Sequence, residues 1–170
     1  VNFKRADNAL TPLHVAADGD IVRHLYNAKA DLHSVTSSFS ASPLDTAASL
    51  GIVEPIQALI DCRVNLNQSR PSNGKFALYM AAQNGHPAVV QVLVAAKANV
   101  DQRIHDGASP LAVAIRGGHV EVVGILVDAK ADVHNTYQGQ NAVAFAKEIG
   151  HTAAVVMKEI VARTKMQILS

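Results

Sequence analysis

Apolar residues recur along the chain at helical intervals, in two kinds of cluster. One kind sets an apolar pair against a second pair one turn later, as in Val89-Val90 with Leu93-Val94 and Val122-Val123 with Leu126-Val127. The other places a Leu ahead of two small residues at i+3 and i+4: Leu13 before Ala16-Ala17, Leu44 before Ala47-Ala48, Leu78 before Ala81-Ala82. Both read as helices with one apolar stripe, and the small residues let neighbouring backbones approach closely. Thr11, Ser42 and Ser109 stand just ahead of clusters of the second kind, each followed by Pro. A hydroxyl there can cap the helix, and Pro at the first helical position has no amide hydrogen to leave unsatisfied. The chain therefore reads as helix, turn, helix and loop, repeated. A single such unit cannot cover its own apolar face, so the units must stack.

The repetition is regular. Five segments align: Thr11–Ala17 (Thr-Pro-Leu-His-Val-Ala-Ala), Ser42–Ala48, Phe76–Ala82, Ser109–Ile115 and Asn141–Lys147, with starts separated by 31, 34, 33 and 32 residues. Gly51, Gly85, Gly118 and Gly150 follow the last four at one fixed distance, and His86, His119 and His151 follow the latter three glycines. The first four units close on Ala-Lys29-Ala-Asp, Cys-Arg63-Val-Asn, Ala-Lys97-Ala-Asn and Ala-Lys130-Ala-Asp.

These landmarks resemble the ankyrin repeat, whose signature Thr-Pro-Leu-His-x-Ala-Ala stands intact at Thr11–Ala17. The resemblance implies an all-α solenoid of about five helix-turn-helix repeats joined by β-hairpin-like loops. It would form a single domain over 1–170, with repeats near 7–37, 38–70, 71–103, 104–135 and 136–165. It also implies an intracellular protein–protein interaction scaffold, monomeric and without catalysis, whose partner is another protein. Because the fold hosts many functions, two other classes stay open. One is a substrate-positioning module of a larger enzyme, including a secreted bacterial effector acting in a host cytosol. The other is a binder of acidic lipid or nucleic acid.

Composition narrows this picture. The apolar fraction is 49% against 4% aromatic, with no Trp, which suits closely packed helices better than a sandwich or barrel. Fifteen basic against fourteen acidic residues give a net charge of +1, which argues against a nucleic-acid binder or a polybasic membrane anchor. Cys62 is the single cysteine, so neither an intramolecular disulfide nor a cysteine-based zinc site can form, and a reducing compartment fits best. No apolar run is long enough to span a membrane. The first residue is Val, and the expectation is a piece of a longer protein. No phosphate loop, nucleophile elbow or His-Glu-x-x-His is present, so no cofactor is expected.

Departures from the signature carry the rest. Ala17 to Lys29 spans 12 residues, where Ala82 to Lys97 and Ile115 to Lys130 each span 15; the shortfall falls near Asp18-Gly19-Asp20 and reads as an atypical terminal repeat. Lys147 and Lys158-Glu159 give the last repeat the polar outer face of a cap. Lys29, Arg63, Lys97 and Lys130 stand where the family carries a left-handed Gly, at a cost of about 1 kcal/mol each. A cation at a helix C-terminus recovers about 0.3–1 kcal/mol of that. The alternative for these four is a basic row that grips an acidic partner. Among the eight histidines, the resemblance assigns His14, His86, His119 and His151 to hydrogen bonds with backbone between repeats. His33 and His134 occupy the same place in repeats one and four, several spacings of roughly 10 Å apart, so they cannot share a metal. Tyr79 replaces the signature His and is expected to be buried; Phe76 stands at a capping position and is expected to pack between loops. Ser34–Ser42 and Ser69–Ser72 read as long, solvated hairpins. Asn67, with Leu59 and Leu66 before it, resembles a substrate of asparagine hydroxylation, although Asn65 replaces the usual acidic neighbour.

Ankyrin-type solenoids resemble a cupped hand, with hairpins as fingers and first helices as palm. In frame, the residues this implies for partner binding are Phe39, Asn73, Lys75, His105, Asp106, Tyr137 and Gln138 on the fingers, and Leu50, Gln83, Asn84, Arg116 and Glu148 on the palm. Phe39, Tyr137 and Arg116 are the types that most often carry binding energy.

Overall fold

The computed structural model describes residues 2, 10–36, 40–134 and 161–162. A 3-10 turn at Pro12–Val15 precedes α1 (Gly19–Asn27). Three helical pairs follow: α2 (Pro43–Leu50) with α3 (Val53–Asp61), α4 (Ala77–Asn84) with α5 (Pro87–Ala95), and α6 (Pro110–Gly117) with α7 (Val120–Asp128). Among the described residues there is no strand. α2, α4 and α6 stack in one layer and α1, α3, α5 and α7 in a second, so the described chain is an all-α solenoid. The fifth expected repeat, apart from the helical residues 161–162, lies outside the described residues.

α2, α4 and α6 begin after Ser42, Phe76 and Ser109 and end at Gly51, Gly85 and Gly118, where the sequence predicts. Ser42 Oγ accepts the Asp45 N–H at 3.1 Å while an Asp45 carboxylate oxygen accepts the Ser42 N–H at 3.1 Å, a reciprocal cap. Ser109 Oγ accepts the Ala112 N–H at 3.2 Å. Phe76 caps nothing; its ring is buried against Tyr79, with centroids 6.1 Å apart. Lys29, Arg63, Lys97 and Lys130 have φ of 63°, 60°, 68° and 67°, the left-handed conformation their place in the repeat requires. The core is small and close-packed: Ala48, Ala58, Ala81, Ala82 and Ala114 are fully buried beside Val89, Val90, Leu93 and Leu126.

The Gly-His pair is explained by stacking. His119 Nε2 bonds the Gln83 carbonyl at 3.1 Å and His86 Nε2 the Ser49 carbonyl at 3.0 Å, each reaching into the preceding pair. The His119 ring lies so close over Gly85 that an added Cβ would stand 2.5 Å from Nδ1, and the Gly85 φ of 70° closes the position further. His14 does the corresponding work forwards, with Nε2 bonding the Ala41 carbonyl at 2.9 Å. His151 lies outside the described residues.

The first pair departs from the expectation of a capped first helix. Only the four-residue 3-10 turn forms, with His14 Nδ1 bonded to Thr11 Oγ1 at 2.8 Å, and Asp18 then caps α1 through the Asp20 N–H. The missing residues thus remove the second half of the first helix together with its Gly-His turn. Ala17 is left exposed, whereas Ala48 and Ala82 in the same place are fully buried.

A ladder of short polar side chains registers the loops after the second helices. Asp31, Asn65, Asn99 and Asp132 each accept the N–H two residues on, at 2.9, 3.0, 3.1 and 2.9 Å. Asn67 Oδ1 then accepts the Asn99 N–H at 2.8 Å and Asp101 Oδ1 the Asp132 N–H at 2.9 Å, tying one unit to the next. His33 breaks this series, its Nδ1 bonding Gln68 Oε1 at 2.7 Å instead.

Candidate functional site

The face expected to receive a partner comprises the C-terminal ends of α2, α4 and α6 and the hairpins that precede α4 and α6. Each hairpin closes on backbone pairs: Arg70 N–H to Lys75 O at 2.8 Å, and Ile104 N–H to Ala108 O at 3.1 Å. Asn73 Oδ1 and Asp106 Oδ1 accept the N–H two residues on, at 2.9 Å each, so these two expected contact residues also hold their own turns. The His105 N–H donates to Asn73 O at 3.1 Å, joining the two fingers at their tips, with the exposed His105 ring lying against Gly74.

On the palm, Leu50 is 63% exposed, an apolar side chain on an otherwise polar surface. Asn84 Nδ2 donates to Ser49 O and Oγ at 2.8 and 3.0 Å, bridging α4 to α2. Lys75 Nζ donates to Gln83 Oε1 at 3.2 Å and stands 5.6 Å from the Tyr79 ring centre, so finger and palm meet in one polar cluster. Arg116 is exposed on α6. The structure joins Lys75 to Gln83 and His105 to Asn73, and leaves Leu50, Asn84, Asp106 and Arg116 exposed on the same helices and hairpins. Phe39, Tyr137, Gln138 and Glu148 lie outside the described residues.

Beneath this face lies an ion pair that sequence reasoning missed. Arg70 Nε donates to an Asp45 carboxylate oxygen at 3.1 Å, and the two residues are only 8% and 2% exposed. Burial pushes the Asp45 carboxyl up from its ordinary value, opposed by the Ser42 N–H and the Arg70 charge. The available signal was an Asp in the signature His position, a carboxylate in a buried slot that needs a cation. Tyr79, in the same slot one unit later, is 1% exposed as expected.

The basic row sits elsewhere, along the loops after the second helices. All four side chains are exposed, and among the described residues none makes an ion pair. Asp31, Asp61, Asp128 and Asp132 stand within two residues of Lys29, Arg63 and Lys130, so the row alternates with carboxylates. A cleft of about 380 Å³ opens where the first unit is short, lined by Asp18, Gly19, Asp20, Arg23, Glu54 and Gln57. Arg23 in its lining is bonded to Asp20 at 3.0 Å and Asp61 at 3.2 Å. Hydrogen bonds from Gln57 and Arg23 hold the Asp61 carboxyl below its ordinary value. Among the described residues no three His, Cys, Asp or Glu side chains stand together as metal ligands, and no helix is long and apolar enough to cross a membrane. Partial burial, then the Asp61 charge, pushes the Cys62 thiol up, away from the thiolate that nucleophilic chemistry needs.

Residues 44–137, more than half of the chain, match the family model for ankyrin repeats in three copies, and residues 8–37 match the single ankyrin repeat. The chain belongs to the ankyrin-repeat family. Over 103 residues this ankyrin-repeat chain is 37% identical to tyrosine-protein kinase Shark of Drosophila melanogaster, a match that covers 59% of the chain and 11% of the kinase. The chain thus spans about a tenth of the length of that relative. Ankyrin repeats generally mediate protein–protein interaction, and such domains are typically non-enzymatic binding modules.

Proposed function

We propose that the chain is a protein-binding module that takes its partner on the cupped face, across the ends of α2, α4 and α6 and the two hairpin tips. One observation carries this reading. Structural positions repeat their residue type from unit to unit, as in Leu44, Leu78 and Leu111 or Ala47, Ala81 and Ala114, all buried. The palm positions on the same helices change every time: Ser49, Gln83, Arg116 in one column and Leu50, Asn84, Gly117 in the next. These are places the scaffold does not dictate, and they present an apolar anchor, amides and a cation side by side, the mix that interfaces use.

The test is affinity capture with the intact chain beside two variants of matched thermal stability. Leu50→Glu with Arg116→Glu alters the palm, and Glu54→Lys with Glu121→Lys alters the second-helix layer. A partner lost by the first and kept by the second supports the cupped face. A partner kept by the first overturns it.

The kinase relative favours a second reading, in which the chain is the recognition segment of a larger signalling enzyme. The flanking polypeptide would carry the chemistry there, and the cupped face would still choose the partner. A catalytic domain encoded in the same open reading frame is the finding that would decide for it.

A further inference from the structure

The surface between successive helical pairs recurs down the stack, and the first pair presents one half of it to solvent. Where α6 and α7 pack on α4 and α5, Val113, Val122 and Val127 are 3%, 1% and 2% exposed. Val15, Ile21 and Tyr26 hold the same places in the first pair: Val15 follows Thr11 as Val113 follows Ser109, and Ile21 and Tyr26 precede Lys29 by the steps that separate Val122 and Val127 from Lys130. They are 66%, 49% and 43% exposed. Three apolar side chains are thus kept at stacking positions with no layer on them.

Asn2 supplies an independent observation. Its Oδ1 accepts the Asp31 N–H at 2.8 Å. That is the bond Asn67 makes to Asn99 and Asp101 makes to Asp132, in which the acceptor always belongs to the preceding unit. The sequence agrees with the geometry, since Val1-Asn2 matches Val100-Asp101. Asn2 therefore stands where the last loop of an earlier unit would place it.

We propose that the exposed side of the first pair is a stacking interface for a further ankyrin-type helical pair, carried by polypeptide ahead of Val1. The interface continues the established one: Asn2 extends the loop ladder, and Val15, Ile21 and Tyr26 receive the apolar side of the added pair. The inference is independent of the cupped face, which none of these residues joins.

A copy of residues 68–99 placed directly before Val1 reproduces the junction that Asn99 makes with Val100 in this stack. Amide exchange in α1, read by mass spectrometry on the full chain with and without the copy, is the measurement. The expected result is exchange at least ten-fold slower in the fusion, with the gain lost on inserting Gly-Ser before Val1 or on introducing Ile21→Lys. Equal α1 exchange in the in-register and inserted fusions overturns the proposal. Should the copy gain no helical signal, residues 100–132 replace it; failure of both overturns the proposal too, because a stacking face would template them. Concentration-dependent dimerisation of the unfused chain, abolished by Ile21→Lys, would overturn it in favour of a second copy as the occupant.

Discussion

The second and third helical pairs fill one slot of the repeat with opposite chemistry. Asp45 and Tyr79 both sit where the first unit carries His14, and both are almost fully buried, at 2% and 1% exposure. The carboxylate is matched by a cation from the next hairpin, Arg70, and by the N–H of its own cap residue, Ser42. The tyrosine is matched by the Phe76 ring and by Lys75 lying over it. His14 answers the same need with the Ala41 carbonyl. What the slot demands is a partner for whatever occupies it. The signature His is one solution; its partner and that of Asp45 stand 27 and 25 positions away, whereas Tyr79 is matched from within its own unit.

The largest expected effects break each solution in turn. Tyr79→Ala empties a fully enclosed ring site and should cost about 3–5 kcal/mol by denaturant unfolding. Arg70→Met should cost a comparable amount, about 3–5 kcal/mol, because it strands a buried carboxylate. The two losses should differ in their pH dependence. The Asp45 carboxyl lies above its unfolded value, so the stability tied to its protonated form is fully present below the unfolded value and is lost as pH rises through the folded one. Removing Arg70 raises the folded value further. The Arg70→Met deficit should therefore shrink as pH falls from 7 towards the carboxylate range near about 4, while the Tyr79→Ala deficit should not track that titration. An Arg70→Met deficit that is flat over this range would mean the pair is not ionised as drawn.

The double variant Asp45→Leu with Arg70→Met sharpens the contrast. If the charged slot is only one way of filling the space, it should recover the greater part of the single-variant loss, as apolar replacements of buried pairs commonly do. A smaller effect tests the frame the two pairs share: Ala81→Leu and Ala47→Leu should each cost about 1–3 kcal/mol through overpacking between layers. The smallest is a gain. Lys97→Gly should raise stability by no more than about 0.7 kcal/mol, the left-handed strain less the helix-terminus attraction it gives up.

Much of this architecture was legible because it is local. Caps, the Gly-His turn, the left-handed Lys29, Arg63, Lys97 and Lys130, and the burial of Tyr79 and Phe76 all follow from residues within one unit and the period that repeats them. The Asp45–Arg70 pair was not legible in that way, since its partners sit 25 residues apart in different elements and no period joins them. The collapse of the first helix to a 3-10 turn was legible as a shortfall in length, but not as to which element would absorb it. Asn67 read as a resemblance to a modified residue, yet its side-chain oxygen bonds the Asn99 amide, a role visible only once successive loops lie side by side. The palm columns were placed by frame alone. Which of them a partner touches depends on that partner's shape, which this sequence does not contain.

The loop ladder separates two dimensions along which such a protein can change. From Lys29 to His33, Arg63 to Asn67, Lys97 to Asp101 and Lys130 to His134 the count of residues never varies, because each step carries a bond to backbone. That side of the molecule keeps the metre, and an extra residue there would throw every later unit out of step. The hairpins that follow these steps carry no such count, since the Arg70–Lys75 closure spans one residue more than the Ile104–Ala108 closure. A lineage could lengthen them one at a time and alter how far the surface reaches without disturbing its pitch.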